Sequence, residues 1–479
     1  MNPLFPLDEY VPDGEPHVFG DRVYLYGSHD EKGGTRFCAK DYTVWSAPIS
    51  DLTKWSCHGV TYKKSQDPRS SKAGLVDYYA PDCVQGKDGR YYLYYFAAGP
   101  NTEAFGPMSV AVSDYPYGPF TYLSDIKYKN GSPVLKFLTN DPAVLNDNGR
   151  IWLYYGWGCI KDFRSSLLKP LYDVALSKIG NRSVEEIRGT SPSILSCAVV
   201  ELEEDMYTVK EEPKAVLDSL TTAKKDSLLY EHPFYEAPSI RKFNGKYYLI
   251  YSSNKNNELA YAVSDYPDHG FEYKGVLISN SDLNYKGNRK PKMPAGTIHG
   301  SVEQINGNYY VFYHRCTNDT DFSRQACAEK IYMDADGLFS QVEITTQGLG
   351  EVLPSAGEYS SVYCCNLYNN SHKDKKNKRA IITAKNEEHY ITRITNNTII
   401  GYKYFNFQEP KKISITVRGG QGEMLLKADE HGKEFGKISV NKSDKWQTFS
   451  ATLQPLCGTY PLYFHWKGKE IEFLKFTFE

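Results

Sequence analysis

APSIRKFNGKYYLIYS, residues 237–252, runs into Phe-Asn-Gly-Lys and leaves it through a second stretch dominated by tyrosine, leucine and isoleucine. Asn-Gly accepts the two consecutive positive φ angles of a tight hairpin turn, and the flanking residue types suit strands. Four other segments share the design: EPHVFGDRVYLYGS (15–28), PDCVQGKDGRYYLYYF (81–96), DPAVLNDNGRIWLYYG (141–156) and GSVEQINGNYYVFYHR (300–315). Two of the five are followed by matching units, VAVSDYPYGPF (110–120) and YAVSDYPDHGF (261–271), which supply outer strands. Antiparallel units repeated in this way read as the blades of a propeller, here with five blades. The competing reading is a large β-sandwich whose hairpins merely look alike. No segment reads convincingly as a helix, and the wide gap from Trp157 to Tyr235 is expected to be loops over one face.

A chain of 479 residues exceeds what one core usually organises, and its composition changes after Val352. The lysine-rich NNSHKDKKNKRA (369–380) follows a possible edge strand, SSVYCCNLY, and short alternating strands then recur: GYKYFNF, KKISITVRGG, GEMLLKAD, GKISV, WQTFSATL, TYPLYFHWKG and IEFLKFTFE. The expected fold is therefore all-β: a five-bladed β-propeller over residues 1–352, then a jelly-roll-like β-sandwich over residues 353–479.

With 56 Lys and Arg against 58 Asp and Glu, the chain has no basic field to hold nucleic acid or an anionic membrane. The given N-terminus has no apolar signal core, and no run reaches membrane-spanning length, so a cytoplasmic protein is expected, or a secreted one if a signal has been trimmed. Ten scattered cysteines, none with zinc spacing, read as reduced thiols. The 40 tyrosines suit half-buried strands and surfaces that stack on flat polar ligands such as sugars.

Immediately before the five inner strands stand Asp13, Asp82, Asp141, Glu236 and His299. A propeller brings the starts of its inner strands to one end of the axis, so these side chains converge. Crowded carboxyl groups raise one another's pKa, and glycoside cleavage needs one ionised and one protonated carboxyl group.

The ordered motifs VPDGEP, YAPD, NDPAVL, FYEAPSI and HGSVE resemble glycoside hydrolase family 43, five-bladed-propeller hydrolases of arabinofuranosides and xylosides, over roughly residues 1–350. The resemblance implies an inverting exo-glycosidase acting on oligosaccharides, with a terminal α-L-arabinofuranosyl unit expected first. β-D-xylose, galactofuranose or β-galactose remain alternatives, as does a non-catalytic glycan-binding propeller. It places the general base on Asp13, the residue that tunes the acid on Asp141 and the general acid on Glu236. An inverting pair would stand ~6.5–9.5 Å apart, with Asp141 closer to Glu236. Taken singly, Asp13 could be a turn former, Asp141 a hairpin cap, and Glu236 a surface partner of Arg241. Asp82 is expected to be structural.

The resemblance also puts Arg324 in the sugar subsite and His299 on the axis near a possible hydrated calcium ion, although calcium prefers oxygen ligands and a lone histidine is usually a core residue. No cofactor is required for the chemistry. Tyr79 replaces the tryptophan usual before Ala-Pro-Asp, which alters the stacking wall, and His29, Trp157 and His314 are further pocket candidates. The C-terminal part resembles a family 6 type carbohydrate-binding sandwich, but ITAKNEEHY stands where such modules carry an acidic calcium segment, and Trp446 and Trp466 are expected to pack rather than bind.

Overall fold

The structure is a computed structural model that describes residues 1–70, 76–98, 106–161, 167–179, 182–189, 194–369 and 379–479. Residues 370–378, most of the lysine-rich segment, therefore lie outside the described residues.

Three of the repeated hairpins close on Asn-Gly turns with both residues left-handed: Asn148 and Gly149 (φ 53° and 88°), Asn244 and Gly245 (50° and 81°), Asn306 and Gly307 (50° and 76°). This twist matches that of the paired strands, so the turn chemistry sets the register, Asp147 opposite Arg150, Phe243 opposite Lys246 and Ile305 opposite Asn308. Each hairpin begins a sheet whose strands follow sequence order outward. The inner strands are Glu15–Phe19, Asp77–Gln85, Ala143–Asp147, Phe234–Phe243 and Ser301–Ile305. Four sheets have four strands and the last has three, giving the five-bladed propeller.

The chain's beginning finishes the three-stranded fifth blade. Leu4 N donates to Ala326 O at 2.9 Å. Buried Asn2 donates to Ala328 O (3.2 Å), Glu329 Oε1 (2.8 Å) and Thr345 O (3.0 Å), while its Oδ1 accepts from Ala328 N at 2.9 Å. An edge that would otherwise present unpaired backbone groups is thereby covered, and the ring closes.

Tyrosines fill the layers between blades. Tyr94, Tyr155 and Tyr251 are fully buried, and their hydroxyls donate to the carbonyls of Met206 (2.7 Å), Lys136 (2.9 Å) and His232 (2.8 Å). Each ring supplies apolar area while its polar tip ties a loop to the blade.

The segment between Trp157 and Tyr235 departs from the expectation of loops alone. It holds the outer strands of the third blade, Ser196–Leu202 and Lys214–Asp218, and helices at Lys169–Ile179, Val184–Gly189 and Leu228–Glu231. The helices are only 11, 6 and 4 residues long, too short for an amphipathic period to stand out in the sequence. Leu176 and Ile187 pack with Leu138 and Leu195, against which Trp157 rests.

From Leu353 onward two six-stranded sheets face each other around Phe405, Phe464, Phe473, Phe476 and Trp466. Trp466 is fully buried, and Trp446 is covered by the Arg418 guanidinium 4.1 Å from its ring. No helix among the described residues is long and apolar enough to cross a membrane. Replacing Asn2 by Ala removes four buried hydrogen bonds at the closing seam and is expected to lower unfolding free energy by about 1–3 kcal/mol, since the groups left behind stay desolvated. Urea denaturation followed by tyrosine fluorescence checks this, and an unchanged midpoint would show that these bonds do not hold the ring shut.

Candidate active site

The pocket begins with backbone conformation. At the starts of the first four inner strands Asp13 (φ 59°), Ala80 (32°), Asp141 (46°) and Ala237 (61°) are all left-handed. That conformation costs an L-residue about 1–2 kcal/mol, and such strain persists where surrounding structure imposes it. The strand register breaks at the same places, between Tyr79 and Asp82 and between Glu236 and Ser239. The chain turns as it enters each blade. Ahead of the fifth inner strand, Gly300 meets the same need by size: a Cβ there would lie 1.9 Å from Phe312 O.

The result is one cavity of about 210 Å³. Asp13, Asp141 and Glu236 line it, as do Tyr79, Trp157, His299, His314 and Arg324. Eight of the nine residues expected at the site are thus brought together from all five blades. His29 is the exception. It lies below the wall, its Nδ1 2.8 Å from Asp41 O and its Nε2 3.5 Å from Glu9, so it packs a loop and does not face the cavity. Asp82 is buried, accepting from Val144 N at 2.7 Å and meeting His17 Nε2 at 2.5 Å. Arg241 is not on the surface but on the propeller axis, bound to Glu15 Oε2 at 2.9 Å, and leaves Glu236 without that partner.

Phe37, Asn140, Tyr235 and Thr297 also line the cavity and had not been expected there. Asn140 and Tyr235 immediately precede Asp141 and Glu236, which was the available signal. Phe37 and Thr297 come from loops without a repeated pattern.

The three acids have different surroundings. Burial pushes the Asp13 carboxyl up, but the positive charges of Arg324 and His299 outweigh it and hold Asp13 below the usual carboxylate range. Arg324 Nη1 donates to Asp13 Oδ1 at 2.7 Å, while Nε and Nη2 grip Asp30 at 2.8 and 3.0 Å. His314 Nδ1 accepts from Asp13 N at 3.3 Å and Nε2 lies 2.8 Å from Thr297 O, so Nε2 carries the proton. Burial, Arg324 and His299 pull His314 down to about 3 against the field of Asp13, which keeps the ring neutral.

Glu236 goes the other way: burial first, then the charge of Asp141, lifts it to about 8. Asp141 itself rises to about 6, mainly through burial. Its Oδ2 accepts from Ala237 N at 3.1 Å and from Asn140 Nδ2 at 2.8 Å, fixing it against the strand that carries Glu236. One acid ionised and another protonated at neutral pH is the division of labour that acid–base cleavage requires.

Beneath them the axis carries Glu15, Arg241, Glu303 and His299. Burial would lower His299, but Glu15, whose Oε1 is 3.7 Å from Nε2, together with Asp141 and Asp13 raises it to about 9. Glu15 Oε1 and His299 Nε2 are buried without a hydrogen-bond partner among the described residues, which makes this the place to test for calcium. The donor set would hold it only through a shell of water, the hydrated form expected. Calcium takes six to eight oxygens, whereas this axis offers one free carboxylate oxygen, and Arg241 donates to the other at 2.9 Å and to Pro16 O at 2.7 Å. Glu15, His17 and Asp82 do cluster within 4.8 Å, but His17 and Asp82 are already bonded to each other. Positive charge on the axis is supplied by side chains.

A sequence profile described as "Glycosyl hydrolases family 43" matches residues 2–339. A protein named xylosidase/arabinosidase from Thermoclostridium stercorarium is 38% identical over 497 residues, covering 99% of this chain and 98% of that one. Among solved structures, a family 43 enzyme from Xanthomonas citri complexed with xylotriose aligns with a TM-score of 0.54 at 27% identity, over 71% of this chain and 92% of its own. An arabinoxylan arabinofuranohydrolase from Bacillus subtilis in complex with cellotetraose shares the fold along the full length, with a TM-score of 0.50, 19% identity, and 100% and 97% coverage. Five blades, one cavity at their inner ends in which the Asp13 carboxyl is lowered and the Glu236 carboxyl raised, and sequence similarity through both domains lead to one assignment: the chain is a glycoside hydrolase that belongs to family 43.

Proposed function

We propose that this enzyme is an inverting exo-glycosidase that removes single terminal pentoses, α-L-arabinofuranosyl and also β-D-xylosyl, from oligosaccharides. The observation that carries this reading is the opposed pair of environments in one small cavity, Asp13 held ionised and Glu236 held protonated. A space of about 210 Å³ walled by Phe37, Tyr79, Trp157 and Tyr235 suits one pentose ring and its attacking water, whereas a chain running through would need an open groove. The names of the relatives support the choice of sugars, since the full-length relative is called a xylosidase/arabinosidase and another, from Xylanibacter ruminicola, a β-xylosidase.

In the proposed reaction, Asp13 takes a proton from water as its oxygen attacks the anomeric carbon. The glycosidic C–O bond breaks on the opposite face, and Glu236 gives its proton to the departing oxygen. Arg324 keeps Asp13 charged, and neutral His314 holds its backbone. Asp141 keeps the Glu236 proton in place until it is needed. The step needs no cofactor.

Asp13→Asn should reduce hydrolysis of nitrophenyl α-L-arabinofuranoside and β-D-xyloside by about 10²–10⁴-fold. Glu236→Gln should do the same on xylo-oligosaccharides but less on nitrophenyl glycosides, whose leaving group needs little protonation. Absence of wild-type hydrolysis on both sugars would overturn the substrate assignment. Proton NMR of the first product from the β-xyloside should show α-xylose, and β-xylose appearing first would exclude inversion. Because Glu236 must be protonated and Asp13 ionised, kcat/KM should fall as pH rises through about 8 and again at acid pH. Asp141→Asn removes a charge that raises Glu236, so the alkaline limb should move to lower pH, and a stationary limb would sever Asp141 from the acid.

A further inference from the structure

The seam between propeller and sandwich differs along its length. Near Met293, Cys316 and Ile382 the domains close on a space of only about 10 Å³. Elsewhere they part around a cleft of about 520 Å³, between the propeller segment 282–292 with Glu343 and the sandwich residues Asn366, Lys403, Tyr404 and Tyr463. Its floor is polar and deeply set, with Asp282 3%, Asn366 1% and Lys403 6% exposed. These groups hold one another at long range. Lys403 Nζ and Asn366 Nδ2 each lie 3.4 Å from Asp282 Oδ2, and Tyr463 Oη lies 3.4 Å from Asn366 Oδ1. Shorter bonds fix each of the three in place on one side, Lys403 Nζ to Glu343 Oε2 at 2.8 Å, Ile344 N to Asp282 Oδ1 at 2.8 Å and Asn366 Nδ2 to Cys365 O at 2.9 Å, and leave Asp282 Oδ2 and Asn366 Oδ1 with the long contacts. Bonds at the outer limit of hydrogen-bonding distance leave an ammonium, an amide and a carboxylate with capacity for further partners.

On the wall, Tyr404 donates to Glu343 Oε1 at 2.6 Å, which fixes a half-buried ring beside this floor. Opposite, Lys292 lies 2.5 Å from Glu430 and 4.5 Å from the centre of the Tyr368 ring. A seam made only for adhesion gains nothing from keeping charged side chains desolvated beside open space. The charges lining the cleft nearly cancel, Lys286, Lys292 and Lys403 against Asp282, Glu343, Asp429 and Glu430, so its carboxylates would repel a phosphate or polyanion. Mixed donors and acceptors with tyrosine faces match vicinal hydroxyls and sugar rings, and the volume lies within the about 300–1,000 Å³ of ligand sites. We infer that this interdomain cleft is a second oligosaccharide site, separate from the carboxylate pocket, that holds a neutral sugar chain of several residues. That the chain is β-1,4-linked xylose rests on the substrate reading above.

Calorimetric titration of the full-length Glu236→Gln variant with xylotetraose should give two sites per chain. Adding Tyr404→Ala should weaken one of them about tenfold or more and leave the other. In the wild-type background, Tyr404→Ala should leave nitrophenyl glycoside hydrolysis unchanged within about twofold, because Tyr404 is outside the pocket. His431→Trp is a second probe: this rim side chain is 78% exposed, and the larger ring obstructs the mouth without touching the floor. Loss of the same site in His431→Trp supports the assignment even if Tyr404→Ala folds poorly. A single site per chain, or two sites that neither cleft variant changes, would overturn it. Hydrolysis with no second site refutes the cleft alone, whereas a Tyr404-sensitive site in a protein that hydrolyses neither pentoside refutes the catalytic reading and leaves the cleft standing.

Discussion

The guanidinium of Arg324 joins the two ends of the propeller. It stands in the last blade and grips two carboxylates of the first, Asp13 at 2.7 Å and Asp30 at 2.8 and 3.0 Å, with the Phe37 ring over its face at 4.7 Å. Burying three such charges costs several kcal/mol per ion unless geometry and hydrogen bonds offset it, and only arginine offers a planar fork that reaches both partners. The ring's closure and the ionisation of Asp13 therefore rest on the same contact. Arg324 also acts with burial to keep His314 neutral against the field of Asp13, while burial and Asp141 together raise Glu236.

Much of this was legible in the chain because its signals are local. Asn-Gly between aromatic strands dictates a hairpin wherever it stands, and five hairpins in a row define the ring. Asp13, Asp141 and Glu236 were legible because each occupies the same position relative to its hairpin. The fifth blade's missing strand was not, since the N-terminal residues that complete it carry no strand pattern and pair through the Leu4 backbone and the Asn2 side chain. Phe37, Thr297 and Asp30 reach the site through tertiary packing alone. His29 was misplaced for the converse reason: its position resembles a pocket residue, but its ring turns to Asp41 and Glu9. Arg241 reads as a surface residue of an exposed hairpin until the ring turns that strand toward the axis.

The sandwich is more than an appendage to the ring. In the strand Asn308–Cys316, successive side chains point to opposite faces, so His314 meets the pocket and Arg315 meets the sandwich, donating to Cys364 O at 3.0 Å and Val362 O at 2.9 Å. On another rim, Arg393 reaches Asp319 at 2.8 Å, and Asn318 N donates to Ile382 O at 2.8 Å. One wall of the pocket is thus carried by a strand braced from outside the propeller.

The order in which the chain is made adds a constraint of its own. Asn2 waits for Ala328, Glu329 and Thr345, and Asp13 waits for Arg324, so more than three hundred residues must be synthesised before either finds its partners. Contacts of such sequence separation pay their loop-closure entropy before any return, and blades formed in the meantime hold open edges. A nascent chain can carry four formed blades and all three carboxyl groups, yet its Asp13 lacks the countercharge that keeps it ionised. The last blade to leave the ribosome is the one that brings Asp13 its countercharge.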